Sequence, residues 1–258
     1  MRMGGDDIRG PRGERPWGAI LAALLLGALL AGLSLPRIGA HASLVPAAAA
    51  VAALDSGAAI EPAALQAAYA AHDAALAWQA DDPQLRRDRA RIARRLSALA
   101  DANENTDPAE DGRVDVLSDA TALREAALAD LRLAAAAAPG DGLTWALLAD
   151  AGLNAGVSLE DVLPALRLAR LTAPRRASAL LLQHRIVMRH WTAMPDEMRA
   201  HALADLPALW RRGQLRGFLV ASYLDAGFAA RAAFRERLSE DPRALPQFDR
   251  LLSAALGT

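Results

Sequence analysis

The hydrophobic and polar positions divide the chain into zones of different character. From Trp17 to Leu35, WGAILAALLLGALLAGLSL, 19 residues carry no charge and stand between Pro16 and Pro36. At about 1.5 Å per residue the run spans roughly 28 Å, close to the hydrocarbon thickness of a bilayer. Residues 36–60 form a low-complexity, Ala-rich spacer with room for a short helix. Beyond it apolar residues recur at helical spacing, and no segment sustains the two-residue alternation of a strand.

The first helical stretch opens at Glu61-Pro62, where proline suits a first turn, and runs through Leu65, Ala68, Tyr69, His72 and Leu76 to Trp78. A second begins at Asp82-Pro83 and runs to about Ala100, so residues 61–100 read as a helical hairpin. Residues 101–114 concentrate Asn, Asp, Glu, Pro and Gly and read as a loop. In the remaining zone, 115–258, the pattern predicts helices at 116–138, 142–155, 159–172, 174–190, 195–212, 214–238 and 242–256. The breaks are set by Pro139-Gly140, Gly156, Ala173-Pro174, Pro195, Gly213 and Pro242. The fold class predicted is all-α: a transmembrane helix followed by a domain of helical hairpins.

One stretch recurs. Leu131, Arg132, Leu133, Ala134, Ala138 and Pro139 are matched 35 residues later by Leu166, Arg167, Leu168, Ala169, Ala173 and Pro174. The period is close to the 34 residues of a tetratricopeptide repeat. Trp145, Leu148 and Ala149, then Ala165, Leu166, Ala169 and Pro174, resemble that repeat's order of bulky, small and closing residues, with about one residue inserted. Gly152 departs from it, since an aromatic is usual there.

Composition supports the helical reading. Hydrophobic residues make up 53% of the chain, mostly Ala and Leu, and aromatics only 4%. All 29 basic residues are arginine, and against 30 acidic ones they leave a net charge of −1, so no global field recruits nucleic acid. The absence of cysteine excludes disulfides, thiolate metal sites and cysteine nucleophiles. Arg2, Arg9, Arg12 and Arg15 precede the apolar run and only Arg37 follows closely. The positive-inside bias therefore makes residues 1–16 a cytoplasmic tail and puts the rest in the periplasm of a bacterial cell, with residues 17–35 as a single-pass inner-membrane anchor. The rival reading is a signal peptide cleaved at Ala40-His41-Ala42. The apolar run exceeds a usual signal core, which favours the uncleaved anchor.

Candidate chemistry is sparse. His184, His190 and His201 are spaced by six and eleven, which does not place them on one helical face. No G-x-S-x-G, H-E-x-x-H, Walker A or G-x-G-x-x-G motif occurs. Gly140-Asp141-Gly142 suits a turn and a helix cap. No catalytic, cofactor-binding or metal-binding residue is singled out, and the chain reads as a non-enzymatic protein without a cofactor. What remains is an interaction surface. RRDRARIARR, Arg86 to Arg95, carries six arginines, among them Arg86, Arg87 and Arg91, and reads either as a docking face for anions or as a solvated helix face. Trp145, Trp191 and Trp210 read as packing anchors first and as groove-lining residues second.

The segment from Thr144 to Arg212 resembles the core of the VpsP-like group, small bacterial inner-membrane proteins linked to exopolysaccharide biosynthesis. Trp145, Leu148, Ala149, Ala165, Leu166, Leu168, Thr172, Ala173, Pro174, Arg185, Trp191, Arg199 and Trp210 carry the resemblance. Arg175 and Arg176 depart from it, where an aromatic and an acidic residue are expected. The resemblance implies a pathway more than a mechanism: an accessory scaffold that assists polysaccharide assembly or export through protein partners, with Arg185 and Arg199 joining the tryptophans as interaction residues. Two alternatives stand beside it, a periplasmic protein that binds or processes polysaccharide and an assembly factor of another envelope process.

Overall fold

The computed structural model describes residues 17–56, 58–104 and 120–257. The predicted tail 1–16 and most of the acidic loop, 105–114, lie outside them. Among the described residues there are helices and no strand. Helix α1 spans Trp17–Leu44 and is followed by a 3-10 turn, Val45–Ala47, and by α2, Ala48–Ser56. Then come α3 (Pro62–Trp78), α4 (Pro83–Glu104), α5 (Ala120–Ala137), α6 (Gly142–Asn154), α7 (Leu159–Thr172), α8 (Ala177–Arg189) and α9 (Asp196–Trp210). A 3-10 turn at Gly213–Leu215 leads into α10 (Arg216–Leu224), α11 (Phe228–Ser239) and α12 (Ala244–Leu256).

Several expectations are corrected. Pro36 does not end the first helix, and the spacer is largely helical. A proline removes one backbone donor, a cost that local propensity alone would not recover, but packing holds the next two turns. Ala40 is buried against Ala75, Leu76 and Leu85. Trp78 covers Gly39, and a Cβ there would lie 2.6 Å from Trp78 Cδ2. The second correction is at 214–238, which is two helices broken around Asp225 to Gly227, with Gly227 in an extended conformation before α11. The break after α7 also extends further than expected, to Arg176, and α4 runs on to Glu104.

From Ile20 to Leu35 every residue of α1 is exposed, and this helix is long and apolar enough to cross a membrane. Its last turns belong to the folded body. Gly39 meets Trp78 near the end of α3, while Ala47 and Ala50 pack with Leu65 and Ala68 near its start. The stack of α1, the 3-10 turn and α2 therefore runs antiparallel to α3, and α4 turns back alongside, adding Ile92 and Leu96.

From α3 onward consecutive helices pack on one another. Ala90 and Ala93 of α4 share a core with Ala127, Leu128 and Leu131 of α5 and Leu147 and Ala151 of α6. Helices α6 and α7 form a close antiparallel pair. At one end a Cβ on Gly142 would fall 2.4 Å from Ala173 Cβ, and at the other a Cβ on Gly152 would fall 3.0 Å from Val162 Cγ1. Gly152 replaces the expected aromatic because the crossing leaves no room for one. Ser158 and Asp141 cap α7 and α6, each accepting from a backbone N–H of the first turn.

The sequence match at 35 residues coincides with helix ends at Ala137 and Thr172 and helix starts at Gly142 and Ala177. Burial follows the same shift: Leu131, Ala134, Leu166 and Ala169 are buried, whereas Arg132, Leu133, Arg167 and Leu168 are exposed. The C-terminal helices close on an aromatic cluster, in which Phe248 meets Tyr223 at 4.9 Å, Phe234 at 5.2 Å and Trp210 at 6.0 Å between ring centres.

Candidate functional site

The arginine run of α4 is divided by helical geometry. Arg86 and Arg89 share one face, where both meet Asp130 of α5, whereas Arg87 lies on the face of Arg91 and Arg94 and is held by Asp141 ahead of α6. Arg89 donates to buried Asp130 through Nε at 2.7 Å and Nη2 at 2.8 Å, and Arg86 reaches the same carboxylate at 3.3 Å. Arg87 pairs with Asp141 at 2.5 Å, and Arg176 reaches its other oxygen at 2.7 Å. Burial opposes ionisation of Asp141, but the Thr144 hydroxyl and the two guanidiniums outweigh it and hold the carboxyl below the usual range. These pairs bolt α4 to α5 and to the α5–α6 turn.

Arg91, Arg94 and Arg95 face a concave surface formed by α4, α6, α8 and α10 with α2 at its rim. Two connected hollows lie along it. The larger, about 740 Å³, has an apolar wall of Leu143, Leu147, Leu181, Leu182, Leu215 and Phe218. The smaller, about 460 Å³, is lined by Arg91, Arg94 and Arg95 of α4, Arg124 of α5, and Arg185 and Arg189 of α8. Leu54, Arg91, Leu147 and Arg185 border both.

The carboxylates around the smaller hollow are engaged. Asp88 lies 3.4 Å from Arg91, Asp101 lies 2.8 Å from Arg124, and buried Asp150 pairs with Arg94. Asp225 is shared loosely by Arg189 at 3.5 Å and Arg185 at 3.9 Å. Burial, with the charges of Arg185, Arg91 and Arg189 added, pushes the Arg94 guanidinium down to about 10. Burial and Arg189 lower Arg185 in the same direction.

The other expected interaction residues are held internally. Trp210 is 3% exposed, stacks edge-on against Phe248 and carries Arg216 over its face at 5.3 Å. Trp145 is half-buried and donates Nε1–H to the Pro139 carbonyl at 2.8 Å. Trp191 packs between the two central clusters. Arg199 lies 5.8 Å over its ring, donates to its carbonyl at 3.0 Å and pairs with Asp196, bracing the α8–α9 turn. Of the expected set, Arg91 and Arg185 line the open concave surface, and Arg87 reaches it while bound to Asp141. Arg124, Arg189, Leu181, Leu182 and Phe218 were not anticipated. The i, i+4 spacing of Arg185 and Arg189 was the one available signal.

The histidines do not converge. His184 is buried, its Nδ1 3.3 Å from the Ala202 carbonyl, and burial drives it down to about 4. Among the described residues no group of three His, Asp or Glu is arranged to hold a metal ion.

No family model, curated protein or solved structure matches this chain.

Proposed function

We propose that the chain is a non-enzymatic, membrane-anchored scaffold of envelope polysaccharide assembly, with a tetratricopeptide-like body on the periplasmic side that holds a protein partner in the groove of α4, α6, α8 and α10. The observation that carries this reading is the groove itself: a concave wall of Leu143, Leu181, Leu182, Leu215 and Phe218 on a body packed directly onto α1. Hydrophobic grooves between helices accept segments of other proteins, and confinement to one membrane raises the partner's effective concentration. The arginines before Trp17 support the orientation, and the resemblance over residues 144–212 supports the pathway. An uncleaved anchor is favoured because Ala40-His41-Ala42 lies within α1 with Ala40 buried, so cleavage there requires unwinding a packed turn. Mass analysis of the membrane-fraction protein should therefore find it uncut after Ala42.

The test is photo-crosslinking in cells from single positions on the full-length chain. Exposed Ser178 and Phe218 border the groove, whereas exposed Leu133 lies on α5 away from it. Crosslinks from Ser178 and Phe218, and not from Leu133, to membrane proteins of polysaccharide synthesis or export are expected. Crosslinks of equal yield from all three positions would overturn the groove assignment, and partners from an unrelated envelope process would overturn the pathway.

A further inference from the structure

The arginine-lined hollow is separate in character from the apolar wall. Its guanidiniums come from three helices, α4, α5 and α8, and approach one space of about 460 Å³ from different directions. Arg94 is the least solvated of those in ion pairs across the hollow, with its side chain 20% exposed, and its buried Nε has no hydrogen-bond partner among the described residues. Arg185 and Arg189 have one distant carboxylate between them. The lining also holds the Asn154 side chain, Ser97, whose hydroxyl donates to the Arg94 carbonyl, and the Asp101 carboxylate, which is paired with Arg124, and it contains no aromatic residue.

Arg91, Arg94 and Arg124 have close carboxylate partners, but Arg185 and Arg189 share only the distant Asp225, so their like charges repel, and α8 holds them one turn apart facing α4. An anion entering the hollow would relieve that repulsion and accept from several forks at once. A planar carboxylate presents its lone pairs in one plane, which suits a single fork. Tetrahedral phosphate presents oxygens in several directions, which suits guanidiniums arriving from the two helices α4 and α8.

We propose that this hollow is a binding site for clustered phosphate groups, as in a diphosphate. Arg185, Arg189 and Arg95 are the entrance cations and Arg94 the interior one. Such a group could be soluble or belong to a lipid. Leu54 on the rim is 18 residues beyond Pro36, up to about 27 Å along the helical stack. That height favours a soluble or extended ligand over a headgroup lying in the bilayer plane. The assignment does not depend on the partner in the apolar groove, and the crosslinking above reads different residues.

The experiment is calorimetric titration of inorganic pyrophosphate into full-length protein in nanodiscs of neutral phosphatidylcholine. Saturable binding is expected. The affinity should fall about tenfold or more in the Arg185→Ala, Arg189→Ala double variant, remain unchanged in Arg132→Ala on an exposed face, and weaken as salt is raised. Circular dichroism identifies any variant that fails to fold, and Arg95→Ala, on an exposed position, then replaces the double variant. No saturable binding by the native protein, or the same loss in Arg132→Ala, would overturn the site. Repeating the titration in discs containing phosphatidylglycerol separates the sources: an unchanged affinity assigns the site to soluble ligands and competition to headgroups, and either result retains it.

Discussion

Trp78 is packed so closely on Gly39 that its ring leaves no room for a side chain there: a Cβ on residue 39 would stand 2.6 Å from Trp78 Cδ2 and 2.8 Å from Cε2. This contact joins the exposed apolar part of α1 to the folded body. Gly39→Ala should lower stability by about 1–3 kcal/mol through overpacking, even though alanine favours a helix. In a Trp78→Ala background the same change should be neutral or stabilising. Thermal melts of the four proteins in detergent give the coupling, and additive effects would disprove the contact.

Gly142 is pressed against the end of α7, with Ala173 Cβ at 2.4 Å, the Ala169 carbonyl at 2.7 Å and Ala173 N at 2.8 Å from an added Cβ. Backbone atoms yield less readily than a flexible side chain. Gly142→Ala is expected to cost about 2 kcal/mol or more, and Gly140→Ala, with nothing within 4 Å, close to nothing. Urea denaturation of the pair decides it.

Tryptophan truncation should separate core from support. Trp210→Ala removes a ring that is 3% exposed and should cost roughly 3–5 kcal/mol. Trp145→Ala loses a half-buried ring and one hydrogen bond, and a smaller cost of about 2 kcal/mol is expected. Equal costs in denaturant titrations would contradict the difference in burial.

Much of the helical order could be read from the chain, because proline and glycine mark most breaks: 159–172 is a helix with the limits its pattern predicts. Local reading failed where tertiary packing dominates. Pro36 looked like a boundary, and only the contacts of Gly39 and Ala40 with α3 and α4 explain why the helix passes through it. The break around Asp225 was hidden because one glycine is a weak signal within an otherwise helical run. The arginine run was visible, but which of its members are spent on ion pairs, as Arg86 and Arg89 are on Asp130 and Arg87 on Asp141, depends on the helices that flank α4. Arg185 and Arg189 come from about ninety residues later, and no local pattern relates them to Arg94.

His184 is expected to make the fold sensitive to acid. Its usual value of 6.5 is lowered by burial to about 4 in the native state. Above pH 6.5 the ring is neutral in both states and its contribution to stability is complete. Between pH 6.5 and 4 the unfolded chain takes up a proton that the fold excludes, so stability falls with pH, by roughly 3 kcal/mol over the window. Melting temperatures at pH 7 and 4.5 should differ less in His184→Leu than in the native protein. An unchanged difference would remove His184 as the cause.

Because α1 enters the body as packed helix, it transmits rotation as well as attachment. Each residue inserted between Leu35 and Gly39 would turn the groove about 100° around the axis of α1, whereas four would leave it only about 40° from its original bearing. The anchor is in this sense a keyed shaft. A partner fixed in the same membrane would meet the groove at one compass direction, and the phase of the helix at Pro36, more than its length, would decide whether the two faces meet.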